Sequence, residues 1–121
     1  MLKKMPKLEV KKIEVEVDVK PLSVNKVWQG RRYKTKDYLN YEKELLLTLP
    51  KKEPIAGNFG IEFTFYLKNP YRQDLDNFIK PLLDILVKKG YIKDDRKMIY
   101  LKAKKIKADK DKISIKIKDA N

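Results

Sequence analysis

The sequence predicts an α+β (α/β-like) single domain, with elements in the order β-α-β-α-β-β. Its mixed four-stranded sheet carries two helices on one face. Three observations lead there. Apolar and polar residues alternate in four short segments, at residues 8–19, 61–67, 98–106 and 113–117. Two segments instead repeat their apolar residues at helical spacing, at residues 36–49 and 77–89. The outward positions of every strand are mostly charged, which leaves one sheet face wet and sends both helices to the other. A chain of 121 residues can bury one core but not two. No repeat or linker divides it, so residues 1–121 form one domain, with a Lys-rich lead at residues 1–7 expected to be flexible.

In the first strand Ile13, Val15, Val17 and Val19 share a face opposite Glu14, Glu16 and Asp18, and Pro21 ends it. The next segment has no clean period. It interleaves Asn25, Trp28, Arg31, Arg32, Tyr33, Lys34 and Lys36, a mixture that can hold phosphates and stack on bases. Equally, Trp28 can close the core while the cations are solvated. Thr35 or Asp37 is placed to cap a helix over residues 36–49, with Tyr38, Tyr41, Leu45 and Leu49 along one face and Pro50 as its stop. The second strand places Ile61, Phe63, Phe65 and Leu67 on one side and ends at Asn69-Pro70. The last two strands are joined by the polar loop ADKDK. Alternation in the first of them slips at Lys104-Lys105, which predicts a bulge or the end of the strand.

Thirty Lys and Arg against 17 Asp and Glu give a formal charge of +13, which points to a polyanionic partner. A Lys-rich solvated surface of the thermophile kind would have the same composition. The chain has no cysteine, which excludes disulfides, zinc ribbons and thiol chemistry. It has no histidine either, which excludes a His general base, HEXXH and HNH sites, and any His-ligated metal. No apolar run approaches the eighteen or so residues that span a membrane, and no apolar leader is present. No membrane association is expected, and a cytoplasmic location is.

Residues 72–95 gather carboxylates inside this basic chain. Leu75, Phe78, Ile79, Leu82, Leu83 and Leu86 recur at helical spacing, and Gly90 suits the residue just past the helix end. With the helix starting near Asn77, Pro81 falls in its second turn and predicts a kink or a frayed start. Residues two apart on an α-helix point about 200° apart, whereas in extended backbone they share a side. A cation held jointly by Asp74 and Asp76 therefore requires both to lie in extended backbone ahead of the helix. Lys80 projects from the same helical face as Asp76.

Asp95 lies 21 residues beyond Asp74. The helix carries the chain ~20 Å away, and the six residues that follow recover about 20 Å if nearly extended. Asp95 thus just reaches the same site if residues 91–93 double back; otherwise the third acid comes from a partner subunit. Three carboxylates without histidine suit Mg²⁺ or Mn²⁺, which take oxygen ligands and promote attack of water on a phosphodiester. Lys80 could stabilise the transition state there or orient the water. Simpler roles also fit the spacing: Asp76 as an N-cap, Asp94-Asp95 as a turn, and Asp76, Lys80 and Asp84 as a charge ladder.

The combination Arg72-x-Asp74-Leu75-Asp76-Asn77, then Lys80, Gly90 and Asp94-Asp95, resembles the RusA family of Holliday junction resolvases. Pro21-x-Ser23-x-Asn25 ahead of a basic, aromatic loop resembles the family too. These are small homodimeric endodeoxyribonucleases of bacteria and phages. The resemblance implies that Asp74, Asp76 and Asp95 are the catalytic and metal-binding acids, that Lys80 is the essential lysine, and that Asp94 and Asn77 support them. It implies Mg²⁺, with Mn²⁺ as a substitute, and a cytoplasmic homodimer, bacterial or phage-encoded, that resolves four-way DNA junctions by paired symmetric nicks. The DNA contacts would come from Asn25, Arg31, Arg32, Lys34, Lys36, Arg72, Lys93 and Arg96. A non-enzymatic basic nucleic-acid-binding protein, or a nuclease for other branched DNA or RNA, is the alternative. Pro81 departs from the family pattern, which has a small helix former there, and the Lys-rich lead is an addition.

Overall fold

The computed structural model describes residues 11–30 and 33–120. Its four-stranded sheet has the order β1-β6-β4-β5, where β1 is Lys12–Val17, β4 Phe59–Leu67, β5 Met98–Lys107 and β6 Lys112–Asp119. β6 runs antiparallel to both β1 and β4, and β5 runs parallel to β4, so the sheet is mixed as expected. A parallel pair needs a crossover, and α2 (Ile79–Lys89) provides it between β4 and β5.

One face of the sheet is apolar. Ile13, Val17, Ile61, Phe63, Phe65, Ile113, Ile115 and Ile117 are buried there in one core with Tyr38, Tyr41 and Leu45 of α1 (Lys36–Thr48) and Leu82, Ile85 and Leu86 of α2. The other face is wet. Glu14 lies opposite Lys116 in the β1/β6 register and 3.5 Å from its Nζ, and Lys112 reaches Glu16 at 2.6 Å. Such exposed pairs contribute little each, but their alternation with the buried residues fixes which face each strand buries.

Three local expectations change. The basic, aromatic segment is not all loop: β2 (Trp28–Gln29) and β3 (Tyr33–Lys34) pair antiparallel as a two-stranded sheet, and Gly30 after β2 has φ 69. No bulge or strand end occurs at Lys104-Lys105. The register instead shifts between Phe59 and Gly60, and β5 continues to Lys107. Gly60 permits this because a Cβ there would lie 1.9 Å from the Tyr100 ring. Pro81 needs no kink, because a 3₁₀ turn at Leu75–Phe78 precedes the helix. The α-helix then starts at Ile79, and Pro81 occupies its first turn, where backbone N–H groups have no helical partner to lose. The lead at residues 1–7 lies outside the described residues.

Tyr38, Tyr41 and Tyr91 are buried, and burial pushes each phenol above its ordinary value of 10. The unfolded chain releases these protons near pH 10 while the folded chain keeps them. Their stabilising effect is therefore complete below about pH 10 and is lost as pH rises beyond it. The urea midpoint is expected to fall between pH 9.5 and 11.5 (on the order of the reference phenol range), and to fall less in Tyr41→Phe. An equal fall in both chains would contradict the assignment for Tyr41.

Candidate active site

β4 delivers the chain into a loop held by its backbone. The Lys68 N–H donates to Asp111 Oδ1 at 2.8 Å, and Lys105 Nζ donates to the carbonyls of Pro70 and Gln73 at 2.7 and 2.9 Å. Asp74 follows in extended backbone, φ −70 and ψ 143, as the residue capping the 3₁₀ turn. Its carboxylate makes no capping hydrogen bond, which leaves both oxygens uncommitted to the turn. Leu75 and Phe78, three apart, match the three-residue repeat of that turn. They pack inward, with the Phe78 ring 5.3 Å from Phe65, while Asp74 and Asp76 stay exposed.

Asp74 thus has the extended backbone expected of it, whereas Asp76 lies inside the 3₁₀ turn. The apolar spacing that anchors Phe78 draws Asp76 into the turn.

Lys80, in the first turn of α2, places its Nζ 2.9 Å from Asp84. The hydrogen bond and charge of Asp84 hold the ammonium above its ordinary range, and the charge of Asp95 adds to them. Asp95 therefore lies within electrostatic reach of Lys80. The chain reverses at Gly90 (φ 92), and the buried Tyr91 and Ile92 pin the return, with the Tyr91 hydroxyl donating to the Pro50 carbonyl. Asp94 then accepts from the backbone N–H, Nε and Nη2 of Arg96, each at 3.0 Å. These bonds, the side-chain ones first, hold its carboxyl below the usual range and shape the 3₁₀ turn Asp95–Lys97. Asp94 is committed to Arg96, while Asp95 beside it is exposed.

Among the described residues, no three carboxylates converge closely enough to hold a metal ion between them. Asp74 and Asp76 offer exposed, all-oxygen donors, and the Asp74 carboxylate makes no capping bond. That donor set fits Mg²⁺, which binds through one or two carboxylates and otherwise keeps waters and substrate phosphates.

Of the residues expected to touch DNA, Asn25, Lys36, Arg72, Lys93 and Arg96 are exposed, and Arg31 and Arg32 lie outside the described residues. Lys34 sits over the rings of Tyr38 and Trp28, at 4.3 and 5.5 Å. Trp28 is 51% exposed and Tyr33 70%, so Trp28 does not close the core; Val27 beside it is buried instead. A cleft of about 600 Å³ separates the Lys20–Lys26 side and α1 from the loop carrying Arg72 and Gln73.

Sequence reasoning missed what two residues contribute. The Lys80–Asp84 rung of the charge ladder is present at 2.9 Å, but its bearing on the site was not drawn from the spacing. The slip at Lys104-Lys105 was the signal for Lys105, a cation on the inward side of its strand rather than a bulge.

The chain matches the family model described as endodeoxyribonuclease RusA over residues 14–118. It is 30% identical over 93 residues to a crossover junction endodeoxyribonuclease RusA of Aquifex aeolicus, covering 74% of each chain. It is 44% identical over 46 residues to a crossover junction endodeoxyribonuclease of Lactococcus phage r1t, covering 38% of this chain and 35% of the other.

Proposed function

The chain belongs to the RusA endodeoxyribonuclease family, and from that membership we infer that it resolves four-way DNA junctions by paired symmetric nicks that require a divalent metal. The observation that carries this reading is the exposed, uncapped carboxylate of Asp74 beside Asp76, at the head of α2, in a chain of charge +13.

Asp74 and Asp76 would hold Mg²⁺, for which Mn²⁺ would substitute, with Asp95 as the third acid of the site. A cation bound there supplies Lewis acidity toward water and the phosphodiester oxygens. Lys80, held by its ion pair with Asp84, stabilises the negative charge that builds at phosphorus. Asp94 restrains Arg96 and with it the turn that presents Asp95, and the Asn77 N–H, donating to the Asp74 carbonyl, supports the start of the 3₁₀ turn. Asn25, Arg31, Arg32, Lys34, Lys36, Arg72, Lys93 and Arg96 hold the arms through phosphates, while the exposed Trp28 and Tyr33 offer stacking surfaces. Two symmetric cuts need two such sites, and a homodimer supplies them. No helix among the described residues is long and apolar enough to cross a membrane, and the reading places the protein in the cytoplasm with its DNA.

The test compares labelled four-way junction, flap and linear duplex in Mg²⁺ and in EDTA. Symmetric metal-dependent nicks confined to the junction are expected. Equal cutting of flaps would point to a general branch nuclease, and binding without cutting in any metal would point to a non-enzymatic DNA-binding protein.

Lys80→Ala is expected to cut at least about 10²-fold more slowly. Its exposed ion pair with Asp84 contributes only ~0.5 kcal/mol to folding, so its melting temperature stays close to that of the native chain. A variant that melts several degrees lower and still cuts would make Lys80 a structural rung only.

A further inference from the structure

Position 105 breaks the chemistry of its strand. Leu101 and Ala103 of β5 are packed against the core, and period two puts residue 105 on their side. Its register partner, Phe65, is fully buried. An apolar residue would be ordinary there. Lysine can occupy such a place by laying its stem along apolar surface while its ammonium reaches a polar edge.

That edge is the loop ahead of Asp74. Lys105 Nζ donates to the carbonyl of Pro70 at 2.7 Å and to that of Gln73 at 2.9 Å, so one cation ties both ends of the four-residue loop. The Gln73 carbonyl belongs to the peptide that joins Gln73 to Asp74. On the other side, the Asn77 N–H donates to the Asp74 carbonyl at 3.1 Å. Asp74 is thereby bracketed by hydrogen bonds on both flanking peptides. Its own side chain makes no capping bond, so its direction rests on that backbone restraint.

We propose that Lys105 is a positioning residue, clamping the Pro70–Gln73 loop so that the Asp74 carboxylate is presented to the metal. The proposal rests on the reading of Asp74 as a metal ligand. Both acceptors are main-chain carbonyls, so the clamp does not depend on the loop's side chains. Loss of such an outer restraint commonly weakens a metal site about 10–100-fold.

Mn²⁺ binding, followed by the electron paramagnetic resonance signal of the unbound ion, tests this without relying on cleavage. Lys105→Met keeps the stem and removes the donors; Lys105→Gln has a stem too short for both carbonyls. Each is expected to raise the Mn²⁺ dissociation constant and the half-saturating Mg²⁺ for junction cleavage by about tenfold. Cleavage at saturating Mg²⁺ should return to within about threefold of native, with junction affinity in EDTA unchanged. Native Mn²⁺ affinity in whichever of the two variants folds would overturn the proposal. So would a loss of junction affinity in EDTA that accounts for all the lost cleavage, since Lys105 would then be a phosphate contact. Asp74→Asn, run alongside, separates the layers. If it leaves Mn²⁺ binding intact, the reading of Asp74 falls and the proposal with it. If it abolishes binding while the Lys105 variants bind normally, the proposal alone falls.

Discussion

Asp74→Asn is expected to cut a four-way junction at least about 10³-fold more slowly than the native chain, while binding it in EDTA as tightly or more so. The two side chains have nearly the same shape, so the loop keeps its packing. The carboxylate is exposed and makes no capping bond, so its replacement removes no folded contact of the turn. The change in stability should stay within ~0.5 kcal/mol, as for other surface substitutions. Only a negative charge is lost, and it faces a polyanion in a chain of charge +13, which leaves DNA affinity undiminished. Single-turnover cleavage with preformed complex, together with a thermal melt, makes the comparison. A stable variant that still cuts at the native rate would remove Asp74 from the chemistry.

The second large effect lies beneath the site. Phe65→Ala is expected to lower unfolding free energy by about 3–5 kcal/mol, the range for truncating a buried aromatic. Phe65 has no exposed surface, and its ring lies 5.8 Å from Phe63 and 5.3 Å from Phe78. Phe78 is the inward anchor of the 3₁₀ turn that holds Asp76, so this cavity opens directly below the acids. Cleavage per folded molecule should fall as well, because a loosened Phe78 lets the turn drift. Urea unfolding measures the first effect, and cleavage at low temperature, where the variant is folded, measures the second. Leu47→Ala, at a residue 77% exposed, should change stability by less than ~0.5 kcal/mol and serves as the control. A loss below about 1.5 kcal/mol for Phe65→Ala would mean that the core under the site is not close-packed.

The strands and helices were legible because each buries one face only. Ile61, Phe63, Phe65 and Leu67 announce their strand by period two, and Thr35 does cap α1, accepting from the Tyr38 N–H at 3.1 Å. Four strands follow from the same pattern, whereas their order β1-β6-β4-β5 does not. What stayed hidden depends on partners distant in the chain. The register shifts beside Gly60, where the ring of Tyr100, forty residues later, occupies the space that a side chain would fill. The role of Lys105 depends on where the Pro70–Gln73 loop passes, which no local pattern records. Pro81 looked disruptive only because the 3₁₀ turn, and hence the true start of α2, was not visible.

At the site, the acids themselves were legible by type and spacing. Their arrangement was half legible. The extended backbone of Asp74 is what a cation shared with Asp76 requires, and the return of the chain through residues 91–93 was one of two routes left open for the third acid, the other being a partner subunit. The placement of Asp76 inside the turn was not expected, because the spacing of Leu75 and Phe78 fits either helical form. Lys80 was legible as a cation beside carboxylates, and its i,i+4 pairing with Asp84 was legible from the spacing and is present at 2.9 Å.

The most direct measurement uses Fe²⁺ in place of Mg²⁺, with ascorbate and peroxide, in the junction-bound protein. Hydroxyl radicals formed at the bound ion cut the polypeptide next to its ligands. Cuts are expected at two places, around residues 74–76 and around residue 95, and both should disappear in excess Mg²⁺. Cuts at residues 74–76 alone would leave Asp95 outside the metal site. Cuts confined to another acidic stretch, such as residues 109–111, would contradict the assignment of the metal to the head of α2.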